Sequence, residues 1–241
     1  MSCVFDVVGT CFDYAAGAEA LQERLGDKLA PYGVPSKLLF YAWVTSTERD
    51  YSYLSQIKAY KPFAEIMKHT LNRVLFQAGI EDPDSIAGPE DAAYIIKGYH
   101  SLRPRPGMDK MMEKLRSAGF DVWCCTDADT RRVKGYFDKA GVEMPLSKIS
   151  SGDECKAGKP EKAIYDMALE RIGAKSGGKP SIFVAAHAWD IAAAKAAGFE
   201  TAYCTIYEKD ACEAVFGKAD LVAPDLESLA EGIIEKWGGK L

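Results

Sequence analysis

The chain has 241 residues and a formal charge of −5, with 48% hydrophobic and 27% charged residues. That length supports a substantial core, in one large domain or one domain carrying an insertion, and the acidic balance excludes the basic footprint of a nucleic-acid binder. No run reaches the roughly 18 continuous apolar residues of a membrane span, and no charged-then-apolar leader opens the chain, so the expectation is a cytoplasmic protein.

The first informative stretch is Phe5-Asp6-Val7-Val8-Gly9-Thr10. A short apolar run rich in β-branched residues ends on an acid and then on Gly-Thr, with no second acid at Val8. This predicts a strand that delivers a lone carboxylate at its end. From 16 to 103 the periodicity is helical throughout, including Leu38, Leu39, Ala42 and Trp43, then Phe63, Ile66, Met67, Leu71, Val74 and Leu75. An all-helical insert is expected there.

From 104 onward apolar runs alternate with helical patterns. Pro106-Gly107 opens an amphipathic stretch (Met108, Met111, Met112, Leu115) that stops at Gly119, and FDVWCCT follows as a buried strand. A polar helix over 129–140, a short strand near 147–150 and a helix begun by Pro160 come next. SIFVAA at 181–186 and TAYCTIY at 201–207 read as strands, and Lys175-Ser176-Gly177-Gly178 as a surface loop. The βαβαβ order predicts an α/β fold, a doubly wound parallel sheet formed by residues 1–15 plus 104–241, with residues 16–103 as an inserted helical cap. Seven cysteines without a C-x-x-C pair, and only His69, His100 and His187, point to reduced thiols and no zinc site.

In open parallel sheets, ligands collect beyond the carboxyl ends of the strands near the point where strand order reverses. That rule selects Asp6 and Thr10, Thr126 and Asp127, Lys159, and His187 with Asp190. The segments FDVVGT, WCCTD, AGKPEKAIY and FVAAHAWD, in this order across nearly the whole chain, resemble the haloacid dehalogenase superfamily. FDVVGTCFDY, the Lys-Pro helix with Tyr165, and His-Ala-Trp-Asp are most similar to its L-2-haloacid dehalogenase branch.

The resemblance implies a Rossmann-like core and a metal-independent, cofactor-free hydrolase of a small 2-haloacid. In it Asp6 is the nucleophile, Thr10 and Thr126 hydrogen-bond its carboxylate, and Lys159 holds its charge. Asp190 pairs with Lys159 and helps place the hydrolytic water; a homodimer is expected by resemblance alone. The chemistry of the residues agrees. A phosphatase of this type needs a second acid two residues after Asp6 to protonate a poor leaving group, and several carboxylates for Mg²⁺. Val8 and Ala186 stand where two such acids belong, whereas halide leaves without proton or metal. A Mg²⁺-dependent phosphatase and a catalytically silent binding protein are the alternative readings.

The chain departs from the resemblance in three places. Pro35 falls where the related enzymes carry a cap arginine that grips substrate, His187 replaces an asparagine, and Asp127 replaces another. Arg49 is the candidate substitute clamp, with Asp127, Tyr41, Trp43 and Tyr165 as further substrate-binding candidates. His187 either satisfies a backbone group or acts as a general base. Tyr41, Trp43 and Trp189 serve either packing or a ligand.

Overall fold

The computed structural model describes residues 1–174 and 180–240; the loop expected at 175–178 lies outside the described residues. The chain divides into two compact units, Met1–Phe12 with Pro104–Leu241, and Asp13–Arg103.

The first unit is built on a parallel sheet of six strands among the described residues: β1 (Ser2–Phe5), β2 (Asp121–Thr126), β3 (Ile149–Ser151), β4 (Ser181–Ala185), β5 (Glu200–Cys204) and β6 (Leu221–Ala223). Their order is β3-β2-β1-β4-β5-β6, a doubly wound arrangement that reverses between β1 and β4. Central strands are covered on both faces, which is why they read as continuous apolar runs. One face packs Val4, Cys125 and Phe183 against Ile164 and Tyr165 of the Lys162–Arg171 helix and Ile191 of the Ala188–Ala197 helix. Elsewhere the Met108–Ser117 helix buries Met108, Met111, Met112 and Leu115, as its periodicity predicts, and packs with the Leu226–Trp237 helix. Each fully buried large side chain in such layers contributes about 1.5–3 kcal/mol.

Strand register positions the site. Phe5 pairs with Cys124 on one side and Val184 on the other, so Asp6 leaves the sheet beside the ends of β2 and β4. The Asp6 amide still donates to Val184 O at 2.9 Å, which fixes its backbone as a continuation of the strand.

Three expectations need correction. The helix after Lys159 begins at Lys162 rather than at Pro160, because residues 159–161 form the turn that directs Lys159 inward. The last predicted strand stops at Cys204, and Thr205 turns to donate its amide to Ala223 O. The edge strand β6 was not expected at all. It is three residues long and only one of them, Ala223, is buried, so it lacks the apolar run that marked the others.

The second unit is helical: Ala15–Leu29, Ser36–Gln56, Phe63–Lys68, Leu71–Gln77 and Pro89–Tyr99. Its core holds Trp43, whose indole N–H donates to Thr70 Oγ1 at 3.0 Å and to Met67 O at 3.2 Å. Tyr99 stacks on Phe63 and Tyr14. Pro89 occupies the first turn of its helix, where its missing N–H costs nothing, and the Asp91 carboxylate accepts from the Gly88 amide at 2.8 Å. No helix among the described residues is long and apolar enough to cross a membrane.

Candidate active site

Beyond β1 the chain turns sharply. Gly9 takes a φ of 92°, a left-handed conformation that a side chain would strain, and its amide donates to Phe12 O at 2.7 Å. The amides of Cys11 and Phe12 both donate to Val7 O. This tight loop swings Thr10 back so that its hydroxyl donates to Asp6 Oδ2 at 2.6 Å while accepting from the Ala186 amide at 2.8 Å. One buried hydroxyl thereby ties the nucleophile candidate to the end of β4.

The other carboxylate oxygen meets Lys159. Its buried ammonium donates to Asp6 Oδ1 at 2.8 Å and to Asp190 Oδ2 at 2.6 Å, and lies 5.1 Å from the Phe183 ring centre. The Tyr165 hydroxyl donates to the remaining oxygen of Asp190, and the Lys159 amide donates to Asp127 Oδ1 at 2.9 Å. His187 Nδ1 stands 3.3 Å from Asp6 Oδ2, its ring 5.0 Å from Tyr207 and 5.6 Å from Trp189. The Ala188 amide and the Tyr203 hydroxyl both donate to Glu208, which holds the start of the 188–197 helix beside His187.

The electrostatics follow from one cation facing two buried carboxyls. Burial alone would raise the Asp6 pKa, but Lys159 and His187 outweigh it and hold the carboxyl well below the usual carboxylate range. Asp190, more deeply enclosed, is raised by burial despite the same lysine. Lys159 is raised well above an ordinary lysine because the attraction of Asp190 and Asp6 overcomes its own burial. Asp6 is thus the site's persistent anion. It is a carboxylate surrounded by donors, and the residue two positions on is Val8.

The structure brings Asp6, Thr10, Lys159, His187 and Asp190 together, and one expected bond, from Thr126 to Asp6, is absent. Thr126 does not reach the Asp6 carboxylate; its buried hydroxyl accepts from the Ala128 amide at 3.1 Å and shapes the turn after β2. Tyr165 is fully buried and its hydroxyl donates to Asp190, which it positions. Asp127 likewise holds the backbone at Lys159. Within the helical unit, Trp43 is a core residue and Tyr41 packs edge-on against Tyr14 and Phe40. Arg49 is exposed and pairs with Asp50.

Sequence reasoning missed Arg105 and Glu208. Arg105 Nε donates to Gly9 O at 2.8 Å, and its amide donates to Cys11 O. The signal for it was a charged residue between two prolines, Pro104 and Pro106.

Two expected results follow from this geometry. Thr10→Val keeps the shape but removes the bond to Asp6 and the acceptor for the Ala186 amide, so unfolding free energy in urea should fall by about 2–4 kcal/mol. Asp127 gives a pH signature. Burial pushes its carboxyl up to about 7, against the pull of Lys159. Between its ordinary value of 3.8 and about 7, the folded state therefore keeps a proton that the unfolded state has lost. Stability from this group is present at low pH and lost as pH rises through about 7. In Asp127→Asn the pH dependence of the urea midpoint should be flatter across that window.

A family model for haloacid dehalogenase-like hydrolases matches residues 1–198. The chain is 26% identical over 202 residues to (S)-2-haloacid dehalogenase 4A of Burkholderia cepacia, covering 83% of this chain and 80% of that protein. It is 24% identical over 205 residues to haloacetate dehalogenase H-2 of Moraxella sp. (strain B), covering 84% of each. The solved structure of L-2-haloacid dehalogenase from Xanthobacter autotrophicus superposes with a TM-score of 0.76 at 18% identity, covering 97% of this chain and 98% of that one. At that identity the likeness concerns the fold.

Proposed function

Because this chain belongs to the haloacid dehalogenase-like hydrolases and resembles their L-2-haloacid dehalogenase branch, we propose that it hydrolyses the carbon–halogen bond of a small 2-haloacid through an ester on Asp6. One observation carries the reading. Asp6 is an anion clasped by Lys159 and Thr10, and the residue two positions on is Val8 rather than an acid.

In the first step a carboxylate oxygen of Asp6 forms a C–O bond to C2 as the C–halogen bond breaks, and halide leaves with the electron pair. Halide needs no proton, so Val8 is no obstacle. Water then adds to the acyl carbon of the Asp6 ester, and the acyl–oxygen bond breaks. The carboxylate is restored and the 2-hydroxyacid is released. The net change is haloacid plus water to hydroxyacid, halide and a proton. His187, beside Asp6 Oδ2, takes the proton from water in this reading. Lys159 stabilises the carboxylate before attack and after hydrolysis, while Asp190 and Tyr165 hold the lysine in place.

The test is halide release from 2-chloropropionate with and without a chelator. Release unaffected by chelation is expected. Absence of halide release from any short 2-haloacid, with magnesium-stimulated phosphate release from an aryl phosphate, would overturn the reading.

A further inference from the structure

We propose that Tyr207 and Glu208, consecutive residues beyond β5, are positioning residues for His187 and so govern hydrolysis of the Asp6 ester rather than its formation. The proposal rests on the haloacid reading above, in which His187 takes the proton from water.

His187 needs support from outside its own segment. Its Nδ1 is 3.3 Å from Asp6 Oδ2, longer than the roughly 2.7–3.2 Å of an ordinary N–H···O bond, so Asp6 alone does not fix the ring. His187 also stands at the N-cap of the Ala188–Ala197 helix, a position usually filled by a side chain that bonds back to the helix amides, and it makes no such cap bond. Glu208 supplies that bond from another segment: its Oε2 accepts from the Ala188 amide at 2.8 Å. The same oxygen accepts from the Tyr203 hydroxyl at 3.1 Å, and Tyr203 is buried in the core beside Phe183 and Ile191. The imidazole is thereby relieved of capping its own helix and faces Asp6.

Tyr207 sets the ring itself. The Tyr207 and His187 rings meet edge to face with centroids 5.0 Å apart, and Trp189 borders the same imidazole at 5.6 Å. Tyr207 belongs to a closed turn, in which the Thr205 amide donates to Ala223 O and the Lys209 amide to Thr205 O, each at 2.9 Å. Arg105, anchored to Gly9 O, lies 5.8 Å from the Tyr207 ring centre. The two steps of the reaction depend on this support unequally. Attack at C2 needs the Asp6 carboxylate with Lys159 and Thr10. Hydrolysis needs in addition a base aligned with water, and a misplacement of about 1 Å can cost about a hundredfold.

Rapid-quench halide release from 2-chloropropionate separates the steps. Glu208→Ala should release about one halide per protein in a fast phase at the wild-type rate, then turn over about tenfold or more slowly, with ester accumulating on the peptide that contains residue 6. Glu208→Gln, whose amide oxygen can accept both bonds, should restore most of the steady rate. Tyr207→Leu leaves the Glu208 bonds in place; it should show the same split, and it carries the test should Glu208→Ala not fold. A second readout needs no turnover. Asp6→Asn should displace the His187 imidazole ¹⁵N resonances in the wild-type background, and much less in the Glu208→Ala or Tyr207→Leu background. Wild-type steady rates in both variants, equal slowing of both phases, or an undiminished ¹⁵N displacement overturns the proposal. No halide release by the wild type, with the ¹⁵N displacement still lost in the variants, keeps the positioning role and overturns the dehalogenase reading instead.

Discussion

Asp6→Asn is expected to reduce halide release by about a thousandfold or more, because it replaces the attacking atom's charge while leaving its neighbours in position. The amide oxygen can still accept from Lys159 while the amide NH2 donates to the Thr10 hydroxyl, so circular dichroism and the urea midpoint should report a folded protein. Loss of turnover is then chemical rather than structural. A single-turnover reaction of wild type in ¹⁸O-water gives the complementary reading. Water attacks the acyl carbon of the ester, so one label should enter the Asp6 carboxylate, and mass spectrometry of the peptide containing residue 6 should show it. Substantial turnover by Asp6→Asn, or label only in the hydroxyacid after one turnover, would remove Asp6 from the reaction.

The second large effect is on stability. Lys159→Met removes the one cation that, among the described residues, Asp6 and Asp190 share. Two buried carboxyls facing each other cannot both remain ionised cheaply, and stripping one partner from such an arrangement costs about 3–5 kcal/mol. The sign of the pH dependence is fixed. Without the lysine, burial raises both carboxyls, and a raised carboxyl contributes stability that is lost as pH climbs through its folded value. Lys159→Met should therefore lag wild type far more at pH 8 than at pH 5 in urea midpoints. Equal deficits at the two pH values, or a deficit near zero, would contradict the buried-triad account.

The parts of this protein that could be read from its sequence are those whose cause is local. FDVVGT and FVAAHAWD announce strand ends because apolar runs stop abruptly at polar residues, and the sheet places both where the runs predict. The Met108–Ser117 helix was equally legible from its spacing. What escaped was decided over long separations. Thr126 was assigned to Asp6 by resemblance, yet its hydroxyl is spent on an amide two residues away. Tyr165 could be packing or site from its position alone; only the fold brings it to Asp190. Arg105 was not singled out because the oxygen that orients it belongs to Gly9, 96 residues away in sequence. Strand β6, with a half-exposed edge, carries no run long enough to read.

The position of β1 in the sheet also bears on how the protein assembles. Its two neighbours are β2 and β4, with Ser2 paired to both Asp121 and Ser181. Nothing adjacent in sequence can satisfy this strand. During synthesis it emerges before both partners and waits, with both edges bare, until the segments around residues 121 and 181 have left the ribosome. Contacts of such high sequence separation slow folding and leave an apolar, β-prone segment open to wrong partners. The cluster around Asp6 therefore assembles only late in the life of the nascent chain. Truncations ending before β4 should accumulate as aggregates rather than as a partially active core.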